Sequence, residues 1–217
     1  MYAKFVDATI DPARMDLVAG AVDAELIPGF LEHDGALHGY WSADARTGHV
    51  VAITMWRDAD ALRSASAADG VLRATVGERI GLRLHSVHHL PVLAWSPGTD
   101  PMAAHGDVGS IRLAWMPASA AADGSVVPDP GAPAPGVPDP SVGCVGRYWL
   151  GERPDGEGCL LSMWRDPAGR AGVDAMDRRH HRSVRHGGSR SERELRTFAT
   201  ARAATAPRVS TAELAGV

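Results

Sequence analysis

Side chains able to move protons or grip a flat molecule fall close together in the first third of the chain. They are His38 and Tyr40, two positions apart; Asp7, in a run from Lys4 to Ile10; and Thr54 and Trp56, at the end of another apolar run. In a strand, successive side chains point to opposite faces, so alternation sorts them. One face collects Val6, Ala8, Val51, Ile53 and Met55; the other collects Phe5, Asp7, Thr9, His38, Tyr40, Thr54 and Trp56. Apolar walls with a few convergent polar groups are the mark of a small-molecule site, so the second face, roofed by helices, is the expected pocket. A histidine titrates near neutrality, which suits His38 to general-base work. Asp7 would orient it or act as base itself, Tyr40 would hydrogen-bond a ligand oxygen, and Trp56 would supply a flat apolar wall. Phe5, Thr9, Thr54 and His85 are the expected substrate contacts. A purely structural reading stands beside this one: Tyr40 and Trp56 have counterparts later in the chain that a scaffold alone would require, and His38 could be a solvated histidine.

Two other groups invite chemistry. His85, His88 and His89 share one strand, with His85 and His89 on one face, and His33 or His49 could complete a metal site. No Cys or carboxylate shares that spacing, so solvated edge histidines are the plainer reading and no metal is expected. Arg178 to Arg190 is locally basic and contains His180 and His181, but Asp174, Asp177, Glu192 and Glu194 balance it as a solvated helix face would. No Gly-x-Ser-x-Gly, His-Glu-x-x-His, Walker loop or Cys-x-x-Cys occurs. Hydrolase, zinc, nucleotide and thiol chemistries therefore lack their motifs, and any reaction should lean on the reactivity of the substrate.

The elements that must position these groups emerge from a repeat. Tyr40 to Asp58 laid over Tyr148 to Asp166 without a gap agrees at seven of nineteen positions, two of them Trp. Average usage would give about one match. Each copy reads as a strand, a polar turn (43–48 or 151–158) and an apolar strand ending in Met-Trp-Arg-Asp. Upstream, Lys4 to Ile10 is a strand, and Asp11-Pro12 opens a helix whose apolar residues recur to Ile27, with a stop expected near Pro28-Gly29. Asp58 caps a second helical region, expected to break at Asp69-Gly70, and a strand from Leu82 to Leu93 follows. The order is β-α-β-β-α-β. The second copy keeps a strand (Ser110 to Met116), the hairpin, a helical region (about 168–186) and a final strand (Glu194 to Ala203). In place of its first helix, Pro117 to Pro140 is rich in Pro, Gly and Ala and cannot sustain helical hydrogen bonds.

With 217 residues and 45% apolar content the chain can build packed cores. Its formal charge of -4 gives no general attraction to nucleic acid or anionic membranes. No leader or membrane span is evident, so a cytoplasmic location is expected. Cys144 and Cys159, the only two cysteines, are out of register across their hairpin and are expected as free thiols.

The first strand running into a Pro-started helix, the Pro-Gly-Phe at 28–30, the Gly-x-x-x-Gly-Tyr-Trp of the second strand and the third strand ending in Trp56 resemble the antibiotic-biosynthesis-monooxygenase superfamily of dimeric α+β barrels. The resemblance implies two four-stranded sheets packed face to face, here from one chain. It also implies a spread of activities: cofactor-independent oxidation of polyketide anthrones or quinols, haem degradation, or isomerase and binding roles. Two-copy relatives include actinobacterial oxygenases of aromatic polyketides, some using reduced flavin. His180 or His181 falls about where haem-degrading relatives place their proximal histidine, but the family's further Trp on that helix is missing and its first-strand Asn appears as Asp7.

The expected architecture is thus α+β: two tandem ferredoxin-like units, 1–95 and 110–206, forming one intramolecular barrel, with a linker at 96–109, a Pro-rich insert at 117–140 in place of the second unit's first helix, and a tail at 207–217. The expected function is oxygenation of an aromatic polyketide by dioxygen, without a metal or tightly bound cofactor, with reduced flavin left open as co-substrate. Haem handling is the alternative among enzymes, and a non-catalytic partner in a biosynthetic complex the alternative outside them. No nucleic-acid or membrane partner is expected; a homodimer is left open.

Overall fold

The computed structural model describes residues 1–97, 108–117, 144–151, 157–165 and 191–202. The expected insert at 117–140, the helical region at 168–186, His180, His181 and the tail at 207–217 lie, wholly or almost wholly, outside them. Eight strands form one closed antiparallel barrel: β1 (Tyr2–Thr9), β2 (Ala36–Asp44), β3 (His49–Trp56), β4 (Arg83–Pro97), β5 (Ser110–Pro117), β6 (Cys144–Leu150), β7 (Glu157–Trp164) and β8 (Ser191–Arg202). Around the barrel they run β1-β3-β2-β8-β5-β7-β6-β4. The first four strands and the last four follow the same order, and the halves are sewn together by β2 on β8 and by Val92 to Pro97 of β4 on β6.

Pairing in the second half repeats that of the first. Phe5 stands opposite Ile53 and Leu113 opposite Leu161; Tyr40 stands opposite Ile53 and Tyr148 opposite Leu161. The register shift between Ala36 and His38 has its counterpart between Cys144 and Gly146. One sequence interval carries every one of these residues to its partner in the repeat. In the hairpin Cys144 pairs with Trp164 and Cys159 with Leu150, and Cys159 is buried and in no disulfide.

An eight-stranded barrel has an interior just wide enough for side chains to fill. Here Phe5, Tyr40, Ile53, Met55, Leu113, Tyr148, Leu161 and Met163 are all buried, and Phe5 meets Trp115 edge-on at 5.2 Å across the two halves. The turn joining β2 to β3 needs glycine at position 48, where φ is 72° and a Cβ would lie 1.9 Å from the Ile10 carbonyl oxygen.

Outside the barrel lie α1 (Met15–Ala21), a π-helical turn (Val22–Leu26), α2 (Ile27–Glu32) and the long α3 (Ala59–Ile80). Asp11 accepts from Ala13 N at 2.9 Å beside Pro12, the start its sequence predicts. The stop expected at Pro28-Gly29 does not occur; helix continues to Glu32. A π turn widens the backbone just before Pro28, whose ring and missing N–H would otherwise clash with and orphan the preceding turn. The break expected at Asp69-Gly70 is also absent, because one Gly inside a helix costs only about 1 kcal/mol and the Asp58 cap, donated to by Ala61 N at 2.8 Å, holds the start.

Candidate functional site

Strand pairing decides which side chains share a face. Lys4 stands opposite Thr54, Val6 opposite Ala52 and Ala8 opposite Val50, with Trp41 on β2 also opposite Ala52. These residues, with Trp56, face the helices. They close a cavity of about 630 Å³ against Val18, Val22, Leu26 and Phe30 of the first helical segment and Leu72, Val76 and Ile80 of α3. That volume lies within the range of small-molecule pockets.

Trp56 forms one wall. Its indole N–H donates to Thr54 Oγ1 at 2.9 Å, Phe30 packs edge-on against it at 5.2 Å, and His33 lies at 5.9 Å. Gly39 makes room for the Trp41 ring, since a Cβ there would come within 2.5 Å of it. At the margin Asp69 accepts a hydrogen bond from His33 Nε2 at 2.6 Å and pairs with Arg73 at 3.9 Å. Burial pushes the Arg73 guanidinium below its ordinary range. Next to it His89 is pushed down, by burial first and then by the Arg73 and His88 charges.

Lys4 is the unusual member. It is 2% exposed, lines the cavity, and its Nζ has no hydrogen-bond partner among the described residues. Charged side chains are almost never fully buried without a partner. Reading the sequence for histidines passed over Lys4, Asp69 and Arg73; the signal available was a lone Lys within the apolar pattern of the first strand.

The residues expected to share one pocket are divided by the structure. Thr54 and Trp56 line the cavity. Phe5, Asp7, His38 and Tyr40 lie on the opposite, interior face with Val51, Ile53 and Met55, while Val6 and Ala8, expected on that face, look toward the helices. The expected partition is corrected because β1 and β3 pair even with even positions while β2, from His38 on, pairs even with odd positions of β3, registers that alternation within each strand cannot reveal. His38 is buried inside the barrel opposite Met55, and Tyr40 hydrogen-bonds Tyr148, whose hydroxyl burial pushes far up, with Tyr40 and Trp95 drawing it partly back. Asp7 accepts from His49 Nε2 at 2.6 Å, and Thr9 bonds His85 at 2.9 Å. Ser66 takes His89 at 3.3 Å, and among the described residues no three metal-ligating side chains converge. No helix among the described residues is long and apolar enough to cross a membrane.

No family model matches the chain, and no curated protein matches it in sequence. Solved structures do resemble it. A protein labelled "putative monooxygenase" from Fusobacterium nucleatum superposes with a TM-score of 0.68 at 10% identity, covering 93% of this chain and 94% of that one. Another so labelled, from Lactobacillus acidophilus, gives 0.62 at 13% identity, with 93% and 95% covered. An anthrone oxidase-like protein gives 0.55 at 13% identity, with 96% of each chain covered. At such identities likeness speaks for backbone architecture: the chain is an α+β protein with the barrel fold of these monooxygenase-like structures.

Proposed function

We propose that the chain is an oxygenase of an aromatic, polyketide-type ring system, working with dioxygen and no resident metal, and that the helix-covered cavity is its active site. The carrying observation is a buried amine, Lys4, set in an apolar cavity of about 630 Å³ walled by Trp56. A fused-ring phenol fits such walls, and the amine of Lys4 would take its proton and hold the resulting phenolate as an ion pair. In a water-poor cavity that phenolate is electron-rich and poorly solvated, the state in which an anthrone anion combines with dioxygen. The overall change converts a ring CH2 to a carbonyl, with the second oxygen atom leaving as water. Trp56 and Phe30 would hold the rings flat, and Thr54, occupied by the indole N–H, would fix the wall.

Derivation from one duplicated unit, with bounds at 1–95 and 110–206, is the accompanying reading. The shared strand order, the matched pairs and the repeated register shift support it. Oxygen uptake and quinone absorbance with an anthrone test the activity. Lys4→Met and Trp56→Phe are expected to lower turnover while His38→Ala, altered inside the barrel, lowers it less; equal turnover in wild type, Lys4→Met and Trp56→Phe would remove the cavity from the reaction. Absence of oxygen uptake with any reduced polycyclic substrate would favour a binding role.

A further inference from the structure

Lys4 is the only lysine in a chain with 22 basic residues. Every other one is arginine, including Arg112, which stands opposite Ser162 in the second half as Lys4 stands opposite Thr54 in the first. Arginine serves ion pairs and surfaces at least as well as lysine; what it cannot do is become a neutral amine. The one position that departs from arginine is fully buried beside an apolar cavity, with Nζ lacking a partner among the described residues. Asp69 and Glu78 line that cavity without pairing with it, Arg73 contributes a second cation, and His89 sits across from Lys4 on β4. An ammonium there has no hydrogen-bond partner among the described residues to offset its lost hydration, the setting in which a lysine amine becomes a nucleophile.

We propose that Lys4 is a nucleophile that captures the carbonyl group of an apolar aldehyde or ketone as a reversible imine. The Nζ lone pair adds to the carbonyl carbon, a proton passes from nitrogen to oxygen to give a carbinolamine, and loss of water leaves the C=N bond; hydrolysis reverses every step, and no oxidant or reductant is consumed. Leu84 and Val87, 57% and 43% exposed, stand at the cavity wall and give the ligand its approach, while the apolar interior favours loss of water. Protonation of the imine withdraws electrons and acidifies an adjacent C–H. The inference rests on the cavity and not on the oxygen chemistry.

The test treats the full chain with 2-naphthaldehyde and sodium cyanoborohydride, which fixes any imine as a stable secondary amine. An alkylated Lys4 resists trypsin, so residues 1–14 survive as one peptide, and the α-amine of Met1 reports background labelling. In the folded chain Lys4 should label about tenfold faster than in urea, and Lys4→Arg, with an unchanged circular dichroism spectrum, should lose this adduct and keep the α-amine one. Labelling confined to the α-amine, or no faster at Lys4 in the folded chain than in urea, overturns the proposal. Adduct formation without oxygen uptake on an anthrone leaves it standing and removes the oxygenase reading; oxygen uptake without adduct does the reverse.

Discussion

His33 Nε2 and Asp69 Oδ1 lie 2.6 Å apart, joining the residue that follows α2 to the middle of α3 at the edge of the Trp56 ring. This one contact ties two helical segments together over the cavity, beside the close approach of α2 and α3 where a Cβ on Gly29 would lie 3.1 Å from Leu72. Both side chains are mostly shielded, so the bond is worth more than a surface pair. Asp69→Ala should cost about 1–3 kcal/mol. Urea unfolding of Asp69→Ala, His33→Ala and the double variant should show strong non-additivity; fully additive losses would mean the two residues act separately.

Trp56 is both wall and core, being 1% exposed and packed by Phe30 and His33. Trp56→Ala should therefore cost about 3–5 kcal/mol, too much for a clean functional probe. Trp56→Phe keeps most of the packing and gives up the bond to Thr54. A thermal melt close to wild type, together with weakened binding of a tricyclic quinone, is the expected pair of results for Phe.

Gly48→Ala tests the hairpin that positions β3. The left-handed backbone and the contact with the Ile10 carbonyl both oppose a side chain, and the loss should be about 1–3 kcal/mol in denaturant. Gly70→Ala is the contrasting control, since a Cβ there meets nothing within 4 Å and the helix should gain up to about 1 kcal/mol.

Acid should destabilise the fold in two windows. Burial above all, then Arg73 and His88, disfavour protonated His89 in the folded state. The unfolded chain then binds the extra proton, so this contribution is present above the ordinary histidine range and lost as pH falls through it. Asp58 is held below the usual carboxylate range by the Ala61 N–H first and by Arg57 next. Its stabilisation is present above that range and lost as pH falls through and below it. Urea midpoints should fall from neutral pH to the interval between the two ranges, and again below the carboxylates. His89→Gln should flatten the first step and Asp58→Ala the second; midpoints constant with pH would contradict both.

The strands, the paired hairpins with their matching Tyr-Trp and Met-Trp-Arg-Asp ends, and the Asp11-Pro12 and Asp58 helix starts are legible in the chain alone, because each depends on neighbours within a few residues. Alternation likewise sorts side chains within any one strand. It says nothing of how the faces of two strands correspond: that depends on hydrogen-bond register, and the pairing of β3 with β1 on one side and β2 on the other sent Asp7, His38 and Tyr40 into the barrel and left Lys4, Thr54 and Trp56 beneath the helices. The continuation of helix through Pro28 and Gly70 was likewise decided by packing, against a local preference worth about a kilocalorie at the glycine. A lone lysine in an apolar strand is visible in the sequence, but only the tertiary structure removes it from water, and that burial, a property of the cavity and not of the residue, makes its amine a candidate for chemistry.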